Sequence, residues 1–305
     1  MSEQMEIQKF RWKHMPSLIF ATYKEWIADN PFRLSAIVAY YAVLSLPALL
    51  IIILNIVGSI WGTEVVQGQL TDEFTTALGK DAAVAIESMI AESQNEKKNF
   101  ISTIIGIAVL LYGATGVFYQ LKVSLNEIWS IKPDPKAVFK KIAIDRARSF
   151  AFILVIGFLL LVSFVLTAAV TALSQFISSN LPDVFVFLAY ALDFIVSVAV
   201  ISILFALMFK FLPDAIIRWK TVWIGAFLTA VLFVTGKLLL SLYFGQADPG
   251  STYGAAGTIV LILLWASYSC LILFFGAEFT KVYAQRYGFG IRPSEIAVKS
   301  KEAHL

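Results

Sequence analysis

The residue of this chain best placed to do chemistry is a lysine inside an apolar run. Lys237 interrupts Thr221–Phe244, a stretch otherwise free of charge. An ammonium at that depth of a bilayer costs about 3 kcal/mol or more unless something answers it, so it needs a partner or a function. Asp193, the second charge of the apolar runs, lies in Val186–Phe209. If the two segments are consecutive antiparallel helices, Asp193 and Lys237 both sit about 10 Å from the same membrane face, at 1.5 Å per residue. Ser197 follows Asp193 by one helical turn and Ser241 follows Lys237 likewise, while Ala189, Ala226 and Ala230 leave room for close approach. Two chemistries fit: a proton- or substrate-responsive element of a translocation path, or a static ion pair that locks two helices together.

A second polar group lies in AYYAVLSLPALLIIILN, with Tyr40, Tyr41, Ser45 and Asn55 around Pro47. Proline has no N–H for the carbonyl of Val43, so it bends a helix at this point. A bend lined with polar side chains suits a cavity wall, and it suits ordinary helix packing equally well. Hydrolytic chemistry finds no support. Metal-assisted cleavage needs clustered His, Asp or Glu, whereas the only histidines are His14 and His304, in the tails. Glu278 stands three residues before Lys281, the spacing of a helix-end ion pair. No cofactor, no metal and no enzyme activity are expected.

The elements that position these groups are membrane helices. Of 305 residues, 59% are apolar and 15% charged, which excludes a soluble globule. The expected fold is all-α, with six spans at 34–61, 100–121, 150–173, 186–209, 221–244 and 255–279. Apart from Lys237, the Lys and Arg residues divide 20 to 3 between alternate loops, which puts both termini and the loops after the second and fourth spans in the cytoplasm. The net charge of +3 is then a topology signal, and no nucleic-acid partner is expected. The first apolar run starts at Leu34, is too long for a cleavable signal and serves as its own anchor. Cys270, the single cysteine, is a packing residue of the sixth span.

Residues 1–33 form a cytoplasmic segment in which Ile19, Phe20, Tyr23, Trp26 and Ile27 share one helical face behind Lys9, Arg11 and Lys13. That face belongs either in the membrane interface, near anionic headgroups, or under the bundle. Segment 62–99, acidic in balance, has Phe74, Leu78, Ile86, Met89 and Ile90 at helical spacing around Gly79 and reads as an extracytoplasmic helical cap. Loop 122–149 is basic and broken by Pro133 and Pro135; residues 280–305 form a cytoplasmic tail. Gly113, Gly116, Gly254 and Gly257 suit close contact between helices.

Four stretches carry a resemblance: AYYAVLSLPALL (39–50), ATGVFYQLKVSLNEIW (114–129), LPDAIIRWKTVWIGA (212–226) with the later Gly236–Lys237 pair, and the long Ser251–Ala284 motif. Together they resemble the YihY/BrkB family of bacterial inner-membrane proteins, once mislabelled ribonuclease BN, over residues 31–288. The resemblance implies six membrane helices, cytoplasmic termini, an inner-membrane location, and a role in transport or in lipid and envelope homeostasis. Matching motif residues include Tyr40, Tyr41, Ser45, Asn126, Trp129 and Pro213. Lys237, Tyr253, Gly254, Gly257, Trp265, Gly276 and Glu278 also match. The family offers no catalytic residue to carry over. The functional expectation is a transporter or lipid translocator with a polar site around Asp193 and Lys237, its partners being membrane lipids, anionic ones included, and a substrate the residues do not name. The alternative is a membrane organiser that transports nothing; self-association stays open.

Overall fold

Long apolar runs satisfy their backbone groups in a membrane only as helices, and helices dominate the computed structural model of this chain. It describes residues 11–78, 83–84, 86–88, 100–133, 147–148, 151–156, 159, 184–247, 256–288, 290–295 and 297–299, without some of the side chains in these helices. A 3-10 turn (Trp12–His14) leads into α1 (Met15–Ala28), α2 (Pro31–Trp61) and α3 (Thr63–Leu78). Then come α4 (Phe100–Ile128), strand β1 (Ile131–Pro133), α5 (Val184–Phe211), β2 (Ala215–Ile216), α6 (Trp219–Ala247), α7 (Gly257–Tyr287), β3 (Arg292–Pro293) and β4 (Ala297–Lys299).

Among the described residues, three stretches are long and apolar enough to cross a membrane: Phe194–Phe211, Trp219–Leu240 and Gly257–Tyr287. A fourth exists if Pro31–Leu46 and Ala48–Asn55, which meet at 51°, form one span. The bend falls at Pro47, where the missing N–H requires it; the side chain of Pro47 lies outside the described residues. Helix α4 covers the second expected span and runs on past residue 121 to Ile128, so Lys122 and Asn126 are helical rather than part of a loop. Most of the expected span 150–173 lies outside the described residues.

The helices form a chain of neighbours: α5 packs on α6, α6 on α7, α7 on α2, and α2 on α4. Segment 62–99 supplies α3, whose Val66 and Leu70 are buried against the bundle. The contact between α6 and α7 is drawn close by a reciprocal pair of glycines. A Cβ on Gly225 would lie 1.8 Å from Thr280 Oγ1, and one on Gly276 would lie 1.8 Å from Thr229 Oγ1. Each threonine hydroxyl donates to the carbonyl of the glycine one turn earlier on its own helix: Thr229 to Gly225 at 2.7 Å, and Thr280 to Gly276 at 2.8 Å. The hydroxyls are thus satisfied inside their own helices, and the backbones approach as small residues allow.

The buried aromatic core sits at one end of the bundle. There Phe205 stacks on Phe209, Phe209 meets Trp129 edge to face, and Leu125, Ile128, Leu212 and Val222 close around them. The chain after α7 returns to this end. Its β4 pairs antiparallel with β1, and its β3 with β2.

Helix α1 packs against the bundle along one narrow side. Leu18 and Thr22 are buried where α1 packs on α7, while Ile19, Phe20, Tyr23 and Ile27 stay exposed and Trp26 is half-buried. The residue at its end, Asn30, takes φ 51, a left-handed turn that sends Pro31 into the first turn of α2.

Candidate functional site

The most heavily engaged polar residue of the described chain is Asp214, and the local sequence explains its position. Leu212-Pro213 follows the last turn of α5, where proline cannot continue the helix, so Asp214 stands in the turn before β2. Lys122 and Asn126 are one turn apart on α4 and point the same way. Lys122 Nζ lies 2.9 Å from Asp214 Oδ1, and Arg148 approaches the same oxygen at 3.3 Å. Asn126 closes a two-way bridge, its Nδ2 donating to Asp214 Oδ2 at 3.2 Å and its Oδ1 accepting from the Asp214 N–H at 2.9 Å. The Ser294 N–H donates to the Asp214 carbonyl at 2.9 Å, so the returning tail completes the cluster.

The Asp214 side chain is fully enclosed and that of Lys122 nearly so, whereas Arg148 keeps 41% of its side chain exposed. One carboxylate thus faces two cations, of which Arg148 is the outward one. Beside it is a cavity of about 400 Å³. Phe152, Val155, Leu207 and Phe211 give it an apolar wall, and Arg148, Lys210, Asp214 and Ser294 a polar end. Lys210 donates to the Ile217 carbonyl and lies 5.5 Å over the Trp219 ring, which fixes its stem along the cavity. The cavity is thus lined by apolar side chains together with two cationic groups.

Two contacts tie this end to its neighbours. The indole of Trp129 donates to the Ala277 carbonyl at 3.0 Å, pinning α4 to α7, and Arg33 of α2 pairs with Glu127 of α4. At the next residue of α7, Glu278 is fully buried, and Lys281 Nζ lies 3.0 Å from its Oε1. The ion pair expected from their spacing is present, but buried. The same ammonium faces Asp29 at 3.6 Å and Glu25 at 3.8 Å, both contributed by the end of α1.

The residues first singled out from sequence do not meet in one described cluster. Lys237 is half-buried on α6, and Ser197 half-buried on α5. Asp193 and Ser241 belong to these helices but their side chains lie outside the described residues, as therefore does any Asp193–Lys237 contact. Tyr40 and Tyr41 are exposed and meet edge to face; Ser45 is buried and donates to the Tyr41 carbonyl at 2.6 Å; exposed Asn55 donates to the Ile51 carbonyl. Gly116 lies against Tyr41, and Gly257 is buried at the start of α7. Gly254 and the surroundings of Gly113 lie outside the described residues. The Gly236–Lys237 pair gains a physical reason for its glycine, because a Cβ there would lie 2.6 Å from Tyr268 Oη on α7. Cys270 is a buried free thiol.

Sequence reasoning passed over Lys122, Arg148, Asp214, Glu25 and Asp29. The basic ones were absorbed into the topology count; Asp29 and Asp214 stand in connecting segments and Glu25 on the polar side of α1, where carboxylates are ordinary. Asn126 and Pro213 were visible as motif residues, and their place in LNEIW and LPDAI was the available signal.

Comparison with known proteins agrees with this architecture. Residues 22–299 match the family described as Virulence factor BrkB. A UPF0761 membrane protein of Vibrio vulnificus is 26% identical over 268 residues, covering 86% of this chain and 80% of that protein. One from Verminephrobacter eiseniae is 29% identical over 176 residues, 57% of this chain but 40% of that protein. Another, from Pseudomonas paraeruginosa, is 25% identical over 260 residues, which is 83% of this chain and 59% of the relative. No solved structure matches. With nearly its whole length matched and several apolar membrane-spanning helices, the chain is a multi-pass bacterial membrane protein and belongs to the BrkB virulence-factor family.

Proposed function

We propose that the protein moves an amphiphile with an anionic head, such as a phospholipid or another envelope component, across the bacterial inner membrane. The observation that carries this reading is the cavity of about 400 Å³ with apolar walls and Arg148 and Lys210 at its polar end. A head group entering there would meet Arg148, which keeps part of its side chain exposed. An acyl chain would lie along Phe152, Val155, Leu207 and Phe211. By the positive-inside distribution this end of the bundle faces the cytoplasm. The polar intramembrane residues Asp193 and Lys237, on the neighbouring helices α5 and α6, would then lie further along the path, toward the opposite face. Six membrane helices with both termini in the cytoplasm complete the reading.

The test is reconstitution of the full chain in liposomes carrying a fluorescent phosphatidylglycerol, with translocation read as the fraction of label accessible to an external quencher. Wild type is expected to accelerate translocation, and the double variant Arg148→Ala/Lys210→Ala to lower the rate about tenfold, about 1.4 kcal/mol at the barrier. Lys237→Ala is expected to slow it as well. A wild-type rate equal to that of protein-free liposomes sinks the reading.

A second reading, a membrane organiser that transports nothing, is favoured by the interlocked glycines and threonines of α6 and α7, which suit a bundle that does not open. The same assay separates the two.

A further inference from the structure

Helix α7 is longer than a membrane needs. Gly257–Tyr287 has 31 residues, about 46 Å at 1.5 Å per residue, against a hydrocarbon core of about 30 Å. Its charged residues, Glu278, Lys281 and Arg286, all lie near its C-terminal end. The hydrocarbon therefore closes near Phe275, and the last turns of α7 run on through the headgroups. Helix α1 follows those turns in the opposite direction. His14 lies 3.0 Å from Tyr287, Ser17 accepts from Arg286 at 3.2 Å, Leu18 clusters with Phe279 and Val282, and Trp26 meets Phe275 edge to face. The start of α1 thus belongs to the aqueous end of α7, and its last turn to the edge of the hydrocarbon.

That contact uses only one side of α1. Leu18 and Thr22 are buried by it, while Ile19, Phe20, Tyr23 and Ile27 are exposed, Phe20 to 71%. At 3.6 residues per turn these four fall within an arc of about 100°. The stripe does not stop at the helix end. Tyr23 and Phe32 each lie 6.1 Å from the Trp26 ring, and Phe32 is 64% exposed at the start of α2, so the aromatic surface of α1 continues onto α2 and α7. Aromatic rings at this height are what the boundary between hydrocarbon and headgroups selects. Charge is divided to match. Glu25 and Asp29 lie 3.8 and 3.6 Å from Lys281, on the packed side, whereas Arg11, Lys13 and Lys24 are exposed. An apolar face bordered by cations complements an anionic membrane surface.

We propose that the open face of α1 is a lipid-binding surface, seated obliquely in the anionic leaflet at the C-terminal end of α7. Its Ile27 end reaches the edge of the hydrocarbon, Tyr23 lies among the headgroups, and Phe20 is the shallowest of the three. Arg11, Lys13 and Lys24 gather anionic headgroups around the shallow end. The helix is thus a wedge between the bundle and the surrounding lipid, neither flat on the membrane nor free in water. The inference stands apart from whether the protein moves a substrate.

The test uses the full chain in nanodiscs of phosphatidylcholine and phosphatidylglycerol, in a Cys270→Ala background. Nitroxide labels go on Phe20→Cys, Tyr23→Cys and Ile27→Cys, one at a time, and power saturation compares collision with oxygen, which dissolves in lipid, against a water-soluble nickel chelate. Oxygen is expected to prevail at Ile27→Cys and its advantage to decline through Tyr23→Cys to Phe20→Cys. All three labels sit on exposed positions, and a monodisperse elution profile with unchanged helicity confirms that the variants are folded. Chelate prevailing at every position gives the face to water or to a protein, and equal depth at Phe20→Cys and Ile27→Cys lays the helix flat; either result overturns the proposal. Replacing phosphatidylglycerol by phosphatidylcholine, or adding Lys13→Gln and Lys24→Gln, is expected to make Phe20→Cys shallower. A depth there that ignores both changes overturns the assignment to an anionic leaflet.

Discussion

Asp214 and Glu278 are both sealed from solvent, yet their surroundings treat a carboxylate in opposite ways. Asp214 is met on both side-chain oxygens, on its N–H and on its carbonyl, whereas Glu278 has an ammonium beside it and no well-formed hydrogen bond. Asp214→Ala leaves Lys122 buried without its countercharge and is expected to destabilise the protein by about 3–5 kcal/mol, measured by denaturant unfolding in detergent. Adding Lys122→Met should restore part of that loss, because the double variant leaves no buried unpaired charge at this position. A double variant no more stable than Asp214→Ala would show that the clamp does not act through this pair. Sequence exposed Asn126, Pro213 and Glu278 as motif residues. It did not reveal the partnership of Asp214 with Lys122, since residues 88 and more positions apart meet only through the packing of α4 on its neighbours.

Helices α6 and α7 show how little volume separates a close contact from none. Gly225→Ala puts a methyl 1.8 Å from Thr280 Oγ1 and 3.0 Å from its Cβ, so either threonine or helix must shift. The expected cost is about 1–3 kcal/mol, read as a lowered unfolding midpoint. Thr280→Ala in the same chain removes the clashing oxygen and should recover most of it; a recovery of nothing would place the strain elsewhere. For α7 the apolar pattern alone announced a helix. The bend in α2 was legible because Pro47 has a local, backbone cause. The continuation of α4 to Ile128 was not, since Lys122, Asn126 and Glu127 look like solvent residues until Asp214, Arg33 and the tail are in place. Helix α1 was half legible: its aromatic stripe was plain, but the stripe is the exposed side, and the packed side is the thin line of Leu18, Thr22 and Asp29.

At the scale of the whole molecule, composition settled the class and charge distribution proposed an orientation, while the sites had to come from tertiary structure. Orientation is open to direct measurement. In a Cys270→Ala background, single cysteines at Lys132 and Val298, residues paired on β1 and β4, are expected to react together with a membrane-impermeant maleimide only from the cytoplasmic side. A cysteine at residue 97 should react only from the other side, and the reverse pattern would invert the topology. Native Cys270, being buried, should react with the same reagent only after unfolding. The paired strands have one more bearing, on the order of events during synthesis. Residues 292–299 are made after every described helix, yet β1 and β2 find their partners there and the Asp214 carbonyl receives its donor from Ser294. Domains form as the chain emerges, from the N-terminal side onward, so this end of the bundle stays unfinished until residues 292–299 arrive. A nascent chain that stalls before them would present the membrane with an open, cation-lined cleft, a mark by which unfinished copies differ from finished ones.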